Sequence, residues 1–115
     1  MLKALMGFEV SESETGVAKL SDLLVTMKDW ERRPLVKVGR VVIELVKLPR
    51  RESRKGIVPE KLVIHMRLED SFKGIFIEES SELEDLLTAI QTRIVRDVAK
   101  ALDDVNRRRI IEYKI

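Results

Sequence analysis

The sequence predicts an α+β fold: an N-terminal helix, an antiparallel sheet of three to five strands, and a long C-terminal helix. Three patterns carry this reading. Apolar residues recur at helical spacing over 14–32 and again over 80–109, which brackets the middle of the chain with helices. Between them, residues 35–78 are rich in β-branched residues and include KLVIHMRL, where alternate positions are apolar. Gly39, the segment LPRRESRKGIVPE and Asp70-Ser71 punctuate that region into hairpins.

The elements follow in order. Residues 1–10 are apolar but short, with Gly7 inside them, and 1–13 read as an arm or an edge strand. Ser11 followed by Glu14 has the spacing of a capping box. Val17, Leu20, Leu24, Met27 and Trp30 then form one stripe, so a helix is expected over 14–32, up to Pro34. PLVKVGRVVIELVKL reads as one long strand or two short ones, with a bend or bulge at Gly39. Residues 49–60 form an exposed basic loop between prolines, and 62–78 form a hairpin. A two-residue turn at Asp70-Ser71 sets Arg67 opposite Gly74 and His65 opposite Phe76. Leu62, Ile64, Met66 and Leu68 then share a core face with Ile75 and Ile77. Ser81 with Glu84 has capping-box spacing, and no Gly or Pro interrupts 80–109, predicting a single helix of about 42 Å. Its stripe of Leu83, Leu87, Ile90, Ile94, Val98, Ala101 and Val105 exceeds what a small sheet covers, so self-association as a homodimer or dimer of dimers is expected. Residues 110–115 form a short tail.

A chain of 115 residues is one domain. It lacks an apolar run long enough to span a membrane and a cleavable signal pattern, so a cytoplasmic protein is expected. The absence of cysteine excludes disulfides, thiolate metal sites and a cysteine nucleophile. One asparagine and one glutamine against 37% charged residues is a thermophile-like balance. Charge is unevenly distributed: residues 31–73 hold 12 Lys/Arg against 6 Asp/Glu, whereas 74–106 hold 3 against 8. A basic sheet region beside an acidic helix suggests a polyanionic partner for the sheet.

The motifs of catalysis are missing. The five glycines form no phosphate loop, and a lone His65 offers no metal pair or triad, so no enzyme activity and no cofactor or metal are expected. The acidic set Glu69, Asp70, Glu78 and Glu79 leaves a small metal-dependent nuclease as one alternative. A module that docks an acidic protein is another. The second face of the 62–78 hairpin points elsewhere. His65, Arg67, Phe72 and Phe76 offer rings and a guanidinium plane on which unpaired bases can stack, while Lys37, Arg40, Arg50, Arg51, Arg54 and Lys55 can follow phosphates. That combination fits non-catalytic binding of single-stranded DNA or RNA.

The order of an N-terminal helix, strands from PLVKVGRVVIELVKL, KLVIHMRLED and FKGIFIE, and a long helix opening SSELEDLL resembles the archaeal ThermoDBP-related proteins. The likeness covers roughly 16–108. It implies a small dimeric or higher-order protein that grips single-stranded nucleic acid, with bases in a partly apolar cleft and phosphates on basic side chains.

Overall fold

The structure, a computed structural model, describes residues 14–113. The expected arm or edge strand over 1–13, its Ser11 cap and the last two residues of the tail lie outside them. The chain divides into two units, one running to Glu78 and the other from Glu79.

The first unit opens with α1, Glu14–Thr26, followed by the strands β1 Arg32–Val38, β2 Val41–Leu48, β3 Arg51–Ser53, β4 Gly56–Val58, β5 Lys61–Leu68 and β6 Gly74–Ile77. Four of them form an antiparallel sheet in the order β1-β2-β5-β6, and β3 and β4 pair as a separate two-stranded hairpin. The expected helix over 14–32 is therefore shorter. At Thr26 the side-chain hydroxyl donates to the Asp22 carbonyl, and Met27 N still reaches Leu23 O at 2.8 Å. The chain then leaves the helix through a turn in which the Glu31 carboxylate accepts from the Lys28 backbone N–H, and Trp30 adopts a left-handed φ of 66°. Trp30 N donates to Lys47 O and Lys47 N to Glu31 O, so pairing with β2 captures residues that the periodicity gave to the helix. Glu31 is held below the usual carboxylate range by that Lys28 N–H and by a side-chain hydrogen bond from Arg33.

Segment 35–48 resolves into two strands turning at Gly39, whose φ of 56° suits a residue without Cβ. Pro34 sits on β1, an edge strand, where its missing N–H costs no interior ladder bond, and the register slips between Pro34 and Val36. The β5–β6 register follows the sequence expectation: Arg67 pairs with Gly74 and His65 with Phe76. Regular pairing stops there, so the connection spans residues 69–73 rather than two residues. Gly74 is obligatory at its place, because a Cβ would run into the Met66 carbonyl and approach His65 Nε2.

The expected core face is only partly so. On β5, Val63 and His65 are buried, Leu62, Ile64 and Met66 are half-buried, and Leu68 is exposed. The opposite face holds the more deeply buried centre, with Val42, Glu44, Val46, Val63 and His65, while Leu45 and Ile77 are buried on the first. A face carrying an acid and two arginines can be buried when those charges satisfy one another, and here they do.

The second unit contains α2, Ser80–Ile90, and α3, Arg93–Tyr113. The capping box is formed by Glu79 and Glu82, not Ser81 and Glu84: the Glu79 side chain accepts from the N–H of Glu82, and Glu82 Oε1 accepts from Glu79 N at 3.0 Å. The single expected helix is broken at Gln91-Thr92 without Gly or Pro. The Thr92 hydroxyl donates to Ala89 O at 2.7 Å, diverting a helical carbonyl, and Thr92 O then accepts from Arg96 N to begin the next helix. The expected tail from 110 continues α3 to Tyr113.

Candidate nucleic-acid interface

Cross-strand pairing gathers one charged cluster on the second face of the sheet. Glu44 on β2 faces His65 on β5, Val42 faces Arg67, and Val46 faces Arg32 on β1. The Glu44 carboxylate, 4% exposed, accepts from Arg32 Nη1, from Arg67 Nε at 2.8 Å and, at 3.4 Å, from Arg67 Nη2. His65 Nδ1 lies 3.1 Å from Glu44 Oε2 and 2.8 Å from Arg32 Nη1, two contacts that need opposite states of that nitrogen, since Glu44 can only accept from a protonated Nδ1 and Arg32 can only donate to an unprotonated one. Burial alone would raise the Glu44 pKa, but hydrogen bonds from Arg67, His65 and Arg32 outweigh it and hold the group at about 2. Arg67 is raised in turn, chiefly by its hydrogen bond to Glu44. Its Nη1 also reaches the carbonyls of Leu68, Glu69 and Ser71.

Of the four expected base-contacting residues, the cluster takes up His65 and Arg67. His65 is 1% exposed and unable to meet a ligand. Its ring instead stacks on Phe76, with centroids 4.7 Å apart and planes 29° from parallel, and so backs the Phe76 ring. Arg67 is committed to Glu44 and to the 68–71 backbone. Phe72 lies over the guanidiniums of Arg32 and Arg67, 5.8 and 5.4 Å from its centroid, but is otherwise exposed. Phe76 remains 44% exposed.

The expected phosphate contacts separate into two groups at opposite ends of the sheet, roughly 25 Å apart by the length of β2. At the end bearing the β1–β2 turn, Lys37 pairs with Glu69 at 2.6 Å and Arg40 with Asp70 at 2.8 Å. Both cations tie that turn to the 69–73 loop. At the other end stands the β3–β4 hairpin, where Ser53 Oγ bonds to Gly56 O and accepts from Lys55 N, placing Arg54 and Lys55 at the tip. Among the described residues, Arg50, Arg51, Arg54 and Lys55 have no ion-pair partner, whereas the other basic side chains from Arg32 to Arg67 are bonded to a carboxylate or, for Lys47, to the Met27 carbonyl.

Against the base of this hairpin lies an open cleft of about 240 Å³, lined by Trp30, Leu48, Arg51, Val58, Lys61 and Phe76 among others. Lys61 is paired there with Glu78. The cleft is lined by Phe76 and by Arg51 and Val58 of the hairpin, and its second aromatic is Trp30, not Phe72.

Three further participants were missed from sequence. Trp30 fits a helical stripe and carries no sign of its left-handed turn. Arg32 is one of many surface-type arginines, and its partner lies 12 residues away. Glu44 does carry a signal, being one carboxylate within VVIELV on a central strand, a place where an acid needs cationic partners.

Among the described residues, no group of three His, Asp or Glu could hold a metal ion, and no helix is long and apolar enough to cross a membrane. The chain matches no protein-family model, no curated protein and no solved structure.

Proposed function

We propose that this protein binds single-stranded nucleic acid without catalysis, in the cytoplasm, using the cleft and hairpin at one end of the sheet. The observation that carries this reading is the pairing of unmatched positive charge with exposed aromatic surface. Arg51, a cation without a carboxylate partner, lines the same cleft as the half-exposed Phe76, whose ring is already backed by His65, and Arg50, Arg54 and Lys55 add three more such cations on and beside the same hairpin. Phosphates supply the missing counter-charge, and unpaired bases supply flat apolar faces for the ring. The ThermoDBP-related resemblance, which rests on the order of elements, implies the same ligand class. Lys37 and Arg40 are left outside the interface because their ion pairs fasten the opposite end.

Phe76→Ala tests the aromatic half. It should weaken single-strand binding by roughly 1–3 kcal/mol with little change in salt dependence, since stacking is largely uncharged. Melting temperature on the same variant checks the premise: a loss of roughly 3–5 kcal/mol in stability, with intact binding by the folded fraction, would mark Phe76 as core and reject the stacking role.

Self-association belongs to the same proposal. Leu87, Ile90, Ile94, Val95, Val98, Leu102 and Val105 are exposed along α2 and α3, and neither helix contains a buried residue. Light scattering should report at least a dimer at micromolar concentration; a persistent folded monomer would contradict this.

A further inference from the structure

We infer that Trp30 is a ligand-contacting residue, and that the cleft it shares with Phe76 takes a single unpaired nucleobase with an adjoining phosphate on the hairpin cations. This rests on the proposed function and names the residue and the unit of ligand that it serves.

The backbone is the first argument. Among the described residues, Trp30 is the one non-glycine residue with positive φ, at 66°. That conformation crowds the Cβ of any L-residue and is rare for a bulky one; glycine would occupy it without strain. The turn imposes it, because Trp30 N must reach Lys47 O at 2.8 Å while Glu31 N reaches Lys28 O at 3.0 Å. A tryptophan here thus opposes local preference. Core packing does not account for it either, since Trp30 is 55% exposed, whereas Met27, three residues earlier, is 2% exposed and fills the interior. Strain kept at an exposed position is characteristic of binding sites, where it fixes a side chain in advance.

Position supplies the second argument. Trp30 and Phe76 line one cleft with Arg51, so two aromatic rings and a cation without a carboxylate partner meet in one small space. Its volume of about 240 Å³ lies below the roughly 300–1,000 Å³ of pockets that enclose drug-sized molecules, which suits one flat heterocycle. The charge at the hairpin favours an anionic ligand, and a nucleotide within a single strand combines the heterocycle with a phosphate. Stacking tolerates any base, so the site should show little sequence preference.

Trp30 is the only tryptophan of the chain, which makes its emission a local reporter. The test titrates the 115-residue chain with a dye-labelled single-stranded oligonucleotide, reading anisotropy for binding and tryptophan emission for contact, and repeats the anisotropy with Trp30→Gly and Trp30→Phe. Emission should change in parallel with anisotropy. Trp30→Gly should weaken binding about 5- to 150-fold while its melting temperature stays level or rises, because glycine relieves the backbone; Trp30→Phe should keep most of the affinity. Binding without any change in emission, or wild-type affinity in Trp30→Gly, overturns the role of Trp30 and leaves single-strand binding standing. A fall in the melting temperature of Trp30→Gly that matches its loss of binding also overturns it, assigning Trp30 to the fold. No anisotropy change at all removes the proposed function, and this inference with it.

Discussion

Glu44→Gln is expected to destabilise the sheet by about 3–5 kcal/mol at neutral pH, although the side chain keeps its size. Among the described residues the carboxylate is the only anion shared by Arg32 and Arg67 on that face, and both guanidiniums remain when its charge is removed. They then lie close together with no countercharge, and Phe72 above them offers only the modest attraction of a ring face. The lowered pKa points to a magnitude of the same order. A glutamate lowered from 4.5 to about 2 on folding contributes about 3 kcal/mol once ionised in both states. Because the folded value is the lower one, this stability is fully present above pH 4.5 and is lost as pH falls from 4.5 towards 2. Denaturant melts of wild type and Glu44→Gln across that interval should therefore converge. A stability difference that stays constant from pH 7 down to pH 2 would show that the carboxylate charge is not what the cluster requires.

The cluster also shows where sequence reading reaches its limit. Alternation in KLVIHMRL and FKGIFIE fixes parity, and centring the hairpin on Asp70-Ser71 placed His65 opposite Phe76 and Arg67 opposite Gly74, as found. Parity does not say which face is covered. Leu62, Ile64 and Met66 looked like the core by hydropathy, yet the deeper burial belongs to the face where the Glu44 carboxylate is hydrogen-bonded by both Arg32 and Arg67. That bonding depends on β1 and β5 flanking β2, a long-range arrangement invisible to a local pattern. Helix ends failed for a related reason. Trp30 is taken from the helix by a backbone bond to Lys47, and the break at Thr92 depends on one hydroxyl turning to a carbonyl. The unmatched charge of the 49–60 segment was legible because it is local: four cations around Glu52, with no apolar residue among them until Ile57.

Replacing Arg50, Arg51, Arg54 and Lys55 together by Ala should cause the largest loss of binding. All four residues are exposed and without ion-pair partners, so the melting temperature should hardly move. For single strands, each lost phosphate contact lowers the slope of log affinity against log salt by about 0.7, so four contacts remove nearly 3. Over a fourfold rise in salt, wild-type affinity should then fall about 50-fold further than that of the variant. An unchanged slope would take the hairpin out of the interface and leave the aromatic cleft alone to explain recognition.

The central claim is that this end of the sheet meets unpaired bases as well as phosphates. It is tested most directly by measuring the affinity of the wild-type protein for a single-stranded oligonucleotide and for its duplex at two salt concentrations. A single strand preferred over duplex at both salts, with affinity falling as salt rises, is the predicted result. Duplex bound as tightly as single strand, or no binding to either at low salt, would contradict it.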